Sequence, residues 1–188
     1  MAGGRIFHQV NRFQIQVIAM QIRSFFSVVL LVGLLVATGP SLPSGQAADY
    51  PLTLQDSLGR TLTLNAPPQR VVCLVSSVTD LLVELGRTDV LTGVTRQDLL
   101  LHSRLRVKSM GSFFQPDPAS IEAAEPDLII ASTTQRSLLR KWLESPPPQP
   151  KILFVQERSL QQGFERMALI GRIFDREPQA AALIDRNR

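Results

Sequence analysis

The side chains best suited to ligand chemistry lie in a short loop bounded by glycine and proline. Phe113 and Phe114 are adjacent in segment 111–116, which reads GSFFQP. Two neighbouring aromatic rings in so short a loop cannot both point into one core. At least one ring is therefore expected to face solvent or a ligand, and exposed aromatic rings often mark binding surfaces. The alternative is that both rings fold beneath the loop.

Residues that could support catalysis or bind a metal ion are too few and too scattered. Ser76 and Ser77 follow an apolar run, but the chain contains no G-x-S-x-G nucleophile elbow. A catalytic triad would need His102, the one histidine after residue 47. The loop after that apolar run has no glycine, which argues against a phosphate-binding turn. The sequence therefore predicts no enzyme, no cofactor and no metal site built from histidines.

The first 47 residues have the pattern of an export leader. They contain three arginines and no acidic residue, and an uncharged apolar run occupies 24–37. A membrane span needs about 20 apolar residues, so a secretory signal peptide is favoured and an uncleaved anchor is the alternative. Small residues suit cleavage just before Ala48. The protein is expected to be exported to a periplasm or to the outer face of the cytoplasmic membrane.

Without this leader the chain is close to neutral. The sequence has 20 basic and 16 acidic side chains, and removal of the three leader arginines leaves 17 against 16. Arg104, Arg106 and Lys108 form one small basic group that suits a solvated surface. A nucleic-acid partner would require a clustered basic face. We therefore expect no nucleic-acid partner.

The order of apolar runs predicts an α/β fold with a mainly parallel sheet flanked by helices, as in a Rossmann-like lobe. Residues 52–64 alternate between apolar and polar around a turn containing Gly59, which predicts an N-terminal β-hairpin. Short apolar runs then alternate with helical patterns, which favours parallel strands. These runs are 71–75, 89–94, 107–110, 128–131 and 152–155.

Capping residues predict where helices begin, and the strand order predicts where a ligand would bind. Ser77 with Asp80 fits a capping box, Asp117 followed by Pro118 fits a second helix start, and Ser132 a third. Ligands of open α/β sheets meet the loops at the carboxyl ends of the strands. Those loops, which should share one edge, follow Val75, Val94, Ala131 and Val155.

Several segments carry a family resemblance through their order and spacing. They are 56–64 (DSLGRTLTL), 68–72 (PQRVV), 77–86 (SVTDLLVELG), 91–95 (LTGVT), 111–113 (GSF) and 121–131 (IEAAEPDLIIA). From Leu52 onward the chain resembles the periplasmic iron-siderophore, haem and cobalamin binding proteins, the substrate-binding proteins of ABC transporters. This resemblance implies two α/β lobes joined by one long helix, with the ligand between them. Residues 48–177 would form the first lobe and 178–188 the start of the inter-lobe helix, and the second lobe lies outside this sequence.

The resemblance also implies partners and the residues that contact them. The expected partners are a metal-chelate or corrinoid ligand and an ABC permease in the membrane. Family members often dock on the permease through a glutamate at the start of the helix before the Pro-Asp strand. That position is Ala119 here, so Asp117 or Glu122 would have to substitute. The implied ligand contacts are Ser76, Ser77, Thr95, Arg96, Gln97, Phe113, Phe114, Gln115, Ser132, Thr133, Thr134 and Gln135.

The side chains in these segments suit such ligands. Arg96 could pair with carboxylate, catecholate or phosphate oxygens through charge-assisted hydrogen bonds, although a solvated loop charge is the alternative. Phe113 and Phe114 could pack on a macrocycle or an aromatic chelate. Two functions stay open. The chain is either the extracytoplasmic solute-binding component of an ABC importer or a truncated, non-transporting remnant or interaction module of the same fold.

Overall fold

The fold is described by a computed structural model over residues 49–156 and 158–188. The predicted leader and its cleavage position lie outside these residues. None of the helices in the described part of the chain has the length and hydropathy that a membrane crossing requires.

A hairpin comes first and is followed by alternating strands and helices. The strands are β1 (Leu52–Gln55), β2 (Thr61–Leu64), β3 (Val71–Cys73), β4 (Leu91–Val94), β5 (Lys108–Ser109), β6 (Leu128–Ser132) and β7 (Lys151–Val155). The helices are α1 (Ser76–Glu84), α2 (Arg96–Leu101), α3 (Pro118–Ala123), α4 (Arg140–Glu144), α5 (Leu160–Ile173) and α6 (Glu177–Arg186). Two 3₁₀ turns span Thr88–Val90 and Thr133–Gln135.

Five of the strands form one parallel sheet, which confirms the predicted fold class. Their order is β5-β4-β3-β6-β7, and every neighbouring pair is parallel. Strands β1 and β2 pair separately as the predicted antiparallel hairpin. Gly59 in the hairpin turn has φ 73°, a conformation that glycine adopts without steric cost.

The sheet is buried on both faces, because successive strand residues point to opposite sides. Leu128 and Ile130 of β6 pack in a core with the hairpin, α1, α5 and α6. Ile129 and Ala131 of the same strand pack in a second core with α3 and α4. Truncation of a buried aliphatic residue such as Ile130 to alanine would cost about 2–5 kcal/mol. Continuous apolar runs therefore read correctly as strands covered on both sides.

The predicted helix starts are right at one position and wrong at two. Asp117 caps α3, since its carboxylate accepts from the backbone N–H of Ala119 at 3.1 Å. The predicted cap at Ser77 is wrong, because α1 already begins at Ser76 and no side chain caps it. Ser132 opens a 3₁₀ turn instead of an α-helix, and α4 begins only at Arg140.

The hairpin turn docks on the last strand of the sheet. Buried Asp56 accepts from the guanidinium of Arg60 at 2.7 and 2.9 Å, and that guanidinium donates onward to the carbonyl of Ile152 at 2.7 Å. The N–H of Ser57 donates to the carbonyl of Phe154 at 2.9 Å. The turn therefore forms a wall beside the carboxyl end of β7, which the sequence did not indicate.

Candidate functional site

The predicted ligand contacts fall in four segments that follow β3, β4, β5 and β6. These segments are 76–77, 95–97, 111–116 and 132–135, and together they are called the rim. Because the strands are parallel, their carboxyl ends meet at one edge of the sheet. The loops expected to share an edge, after Val75, Val94, Ala131 and Val155, follow β3, β4, β6 and β7, which are parallel, so that expectation is confirmed.

The second segment is held by a buried capping box at the start of α2. The carboxylate of Asp98 accepts from the N–H of Thr95 at 3.0 Å and from its hydroxyl at 2.7 Å, and both residues are buried. This arrangement leaves the side chains of Arg96 and Gln97 exposed. Neither side chain has a hydrogen-bond or ion-pair partner among the residues that the structure describes. The charge of Arg96 is therefore available to an external partner.

The third segment is an aromatic loop, 111–116, that presents one ring to solvent. Phe114 is 85% exposed, and Phe113 is half-buried with its ring 5.1 Å from that of Phe114 in an edge-to-face arrangement. The alternative in which both rings fold beneath the loop is therefore wrong. One exposed ring is not by itself unusual, since Leu100 is 80% exposed. The position of the Phe114 ring beside Arg96 at the carboxyl edge of the sheet is what favours a binding role.

The aromatic loop closes on itself through its backbone. The N–H groups of Ser112 and Gln115 donate to each other's carbonyls at 3.1 and 3.2 Å. Gly111 has φ 86°, and a Cβ there would lie 2.5 Å from the carbonyl oxygen of Gln115. The loop is joined to α2 at its base, where the N–H of Arg96 donates to the carbonyl of Gly111 at 2.7 Å. Gly111 therefore cannot carry a side chain without opening this loop.

The fourth segment combines an exposed surface with a buried anchor. Gln135 is 1% exposed, and its Nε2 donates to the carbonyl of Phe113 at 2.6 Å. Its Oε1 accepts from the N–H of Ser132 at 2.9 Å. The hydroxyl of Thr133 donates to the side chain of Gln156 at 3.0 Å, just beyond β7. Hydrogen bonds therefore connect the loops after β5, β6 and β7.

Exposure divides the predicted contact residues into three groups. The exposed ones are Ser77, Arg96, Gln97, Phe114, Gln115 and Thr134. The half-buried ones are Ser76, Phe113, Ser132 and Thr133. Thr95 and Gln135 are buried and make hydrogen bonds within the rim. Within the exposed group, the hydroxyl of Ser77 accepts from Arg166 at 2.9 Å and that of Thr134 lies 3.0 Å from the hydroxyl of Ser132. Arg96, Gln97 and Phe114 are the exposed side chains that can meet a ligand without rearrangement.

The two residues predicted to dock on a permease both have partners within the chain. Asp117 caps α3, and the hydroxyl of Ser120, with backbone N–H groups, holds the pKa of Asp117 below its ordinary value. Glu122 pairs with Lys141 of α4. Ala119 lies exposed in the first turn of α3.

A cavity beside the rim was not foreseen from the sequence. Its volume is about 450 Å³, and it lies where the hairpin turn and α5 meet the carboxyl end of β7. Ser57, Gln156, Gln162 and Glu165 are among its lining residues. It adjoins the rim through the bond between Thr133 and Gln156. Across the described residues, no group of three or more histidine, cysteine and acidic side chains is placed to hold a metal ion.

Comparisons with known proteins are consistent with this fold. No family model matches the chain. A cobalamin-binding protein of Halobacterium salinarum is 30% identical over 178 residues, which cover 85% of this chain and 47% of that protein. An uncharacterized ABC transporter substrate-binding lipoprotein of Bacillus subtilis is 26% identical over 88 residues, or 47% of this chain and 28% of that protein.

Solved structures show the same fold. An iron uptake ABC transporter substrate-binding protein of Streptococcus pneumoniae superposes with a TM-score of 0.63 at 22% identity, over 74% of this chain and 50% of that one. The chain spans about half the length of the cobalamin-binding protein it matches. These similarities confirm the family resemblance that the sequence segments predict. The three proteins are described as substrate-binding or cobalamin-binding proteins and not as enzymes.

Proposed function

We propose that this chain provides one wall of the ligand cleft in the solute-binding component of an ABC importer. It would act outside the cytoplasmic membrane and bind a preformed iron-siderophore, haem or cobalamin type ligand without changing it covalently. The observation that carries this proposal is the rim. Parallel strands bring the free charge of Arg96 and the exposed ring of Phe114 to one edge of the sheet.

The chemistry of these side chains fits the proposed ligands. An aromatic ring that is 85% exposed gains from covering by an apolar surface such as a macrocycle or an aromatic chelate. The guanidinium of Arg96 suits carboxylate, catecholate or phosphate oxygens, with which it forms strong, directional hydrogen bonds. Gln97 and Ser77 add neutral donors and acceptors along the same edge. The rim would therefore bind the organic part of the ligand and not the metal itself.

The second wall of the cleft would come from a second lobe. Ligand pockets usually bury most of the ligand surface, which one open edge cannot do. We propose that residues 48–177 form the first lobe and that 178–188 begin the helix between lobes. In support, α6 starts at Glu177 and packs on α5 through buried Ala180 and Leu183.

The first turns of α3 remain the proposed permease-docking surface, with Asp117 and Glu122 as its charges. The pair between Glu122 and Lys141 is exposed on both sides, at 47% and 58%. An exposed pair of this kind contributes only about 0–1 kcal/mol. Glu122 could therefore exchange its partner for a permease arginine at little cost.

A binding panel tests the proposed function. The full chain is titrated with ferric hydroxamate, catecholate and carboxylate chelates, haem and cobalamin, while its melting temperature and binding heat are measured. We expect at least one ligand to stabilise the chain. Arg96→Ala should lower the affinity for that ligand by about 10- to 100-fold, the range expected for the loss of a charge-assisted hydrogen bond.

The matched control is Arg104→Ala, which removes an exposed arginine outside the rim. This variant should bind as the parent does. If every ligand leaves the melting temperature unchanged at millimolar concentration, or if both variants bind equally well, the proposed function is wrong.

A further inference from the structure

Hydrogen bonds tie the tip of the aromatic loop to other elements of the described chain at one point. The bonds between Ser112 and Gln115 lie within the loop, and the bond from Arg96 to Gly111 lies at its base. Within residues 49–156 and 158–188, the hydrogen bond from Gln135 to the carbonyl of Phe113 is the one that reaches the tip from another element. Phe113 and Phe114 form that tip. Gln135 is therefore placed to set the orientation of their backbone.

Both polar ends of the Gln135 side chain take part in this role. It is 1% exposed, its Nε2 donates to Phe113 and its Oε1 accepts from the backbone of Ser132. An amide is the group that can donate at one end and accept at the other in this geometry. No polar atom of Gln135 faces solvent in a way that would reach a ligand.

We infer that Gln135 is a positioning residue that latches the aromatic loop, and that it does not contact the ligand. The latch holds the two rings in the orientation in which they would meet a ligand, so less conformational freedom is lost on binding. The latch itself stands on the geometry alone. Its effect on ligand affinity depends on the proposed function.

Three substitutions distinguish the hydrogen bond that Gln135 donates from the space that its side chain fills. Gln135→Glu keeps the length and the acceptor for Ser132, but its carboxylate cannot donate to the carbonyl of Phe113. Gln135→Met keeps approximate length and removes both bonds. Gln97→Glu is the matched control, since Gln97 is exposed on the rim and has no hydrogen-bond partner in the described part of the chain.

A spin label reports the mobility of the loop directly. Phe114→Cys places a reactive thiol at an exposed position, whereas the native Cys73 is buried and its pKa is raised to about 11, which leaves it unreactive near neutral pH. Electron paramagnetic resonance of the full chain labelled at residue 114 then measures local motion. Urea unfolding of each variant verifies that it is folded.

The latch predicts a restricted label in the parent and in Gln97→Glu, and a mobile label in Gln135→Glu and Gln135→Met at pH 7.5. Acidification should restore the restricted spectrum in Gln135→Glu alone, because a protonated carboxyl can donate again. Equal label mobility in the parent and in folded Gln135→Met would overturn the inference. Mobility that is not rescued by acid in folded Gln135→Glu would overturn the role of the donated bond.

Ligand affinity gives a second readout. For any ligand that the panel identifies, Gln135→Met should weaken binding by about 3- to 10-fold, which corresponds to ordering one or two side chains. A mobile loop with unchanged affinity would overturn the contribution to binding. If the parent binds no ligand, the proposed function fails, and the spin-label spectra still decide whether Gln135 is a latch.

Discussion

Three arginines near the two ends of the parallel strands have different surroundings. At the amino ends, two arginines donate hydrogen bonds to backbone carbonyls. Arg70 donates to the carbonyls of Ala124 and Glu125 at 2.5 and 2.8 Å. Buried Arg87 donates to the carbonyl of Phe174 at 2.5 Å and pairs with Asp89 at 3.1 Å.

At the carboxyl ends, Arg96 has no such acceptor among the described residues, and its side chain is exposed. Buried polar groups there, such as Asp98, bond to the loop backbone and leave the neighbouring side chains free. The amino ends, where Arg70 and Arg87 hold backbone carbonyls, are called the structural edge. The carboxyl ends are called the candidate binding edge, since Arg96 is unpaired there within the described part of the chain even though Arg60 and Arg166 have partners.

The largest effect is expected at the structural edge. Arg87→Ala should lower the free energy of unfolding by about 2–3 kcal/mol, because it leaves a buried carbonyl and the partner carboxylate without their donor. Urea unfolding followed by circular dichroism measures this loss. A change below about 0.5 kcal/mol, the range of ordinary surface substitutions, would show that Arg87 is not a structural residue.

An intermediate effect is expected at Cys73, in the strand between the two edges. Burial raises the pKa of its thiol from 9.0 to about 11. Between pH 9 and pH 11 the thiol therefore keeps its proton in the folded chain and loses it in the unfolded chain. The contribution of the protonated thiol to the free energy of unfolding is fully present below pH 9 and is lost as the pH rises toward 11. The full difference corresponds to about 2.7 kcal/mol, of which about 2 kcal/mol is lost by pH 11.

Unfolding free energies measured from pH 8 to pH 11 test this effect. The free energy of unfolding of Cys73→Ala should fall less steeply with pH than that of the parent over that interval. The pKa of Tyr50 is also raised, to about 12, mainly by burial, and it affects both proteins alike. Parallel slopes for the two proteins would show that the thiol is not held protonated by the fold.

The smallest effect on stability is expected at the candidate binding edge. Arg96→Ala should change the free energy of unfolding by less than about 0.5 kcal/mol, since the side chain is exposed and makes no bond within the described residues. Its effect should appear in ligand affinity alone. A loss of stability comparable to that of Arg87→Ala would remove the contrast between the two edges.

Local patterns in the sequence predict most of this fold. Continuous apolar runs mark the buried strands, and Asp117 with Pro118 marks the start of α3. The start of α2 is equally visible in the sequence, because Thr95 and Asp98 have capping-box spacing. The Ser77 pattern misled, since that hydroxyl instead accepts from Arg166 of α5 at 2.9 Å.

Burial within the rim could not be predicted, because it depends on contacts between distant segments. Gln135 meets the carbonyl of Phe113 from 22 positions away, and the hairpin turn meets β7 across about half of the chain. Glutamine is usually an exposed residue. The S-x-x-Q spacing of Ser132 and Gln135 predicts the capping box but not the bond to Phe113. The resemblance names both as ligand contacts, and the structure shows that only Gln97 is open to solvent.

The most direct test of the rim as a ligand wall is an amide NMR titration of the full chain. Cobalamin, haem and a ferric catecholate chelate serve as probes, and the gallium form of that chelate is its diamagnetic control. Signals of Ser77, Arg96, Gln97 and Phe114 should shift or broaden with a binding probe, while those of Arg70 and Arg87 stay unchanged. Changes centred on the arginines at the amino ends of the strands, or no saturable change with any probe, would contradict the account.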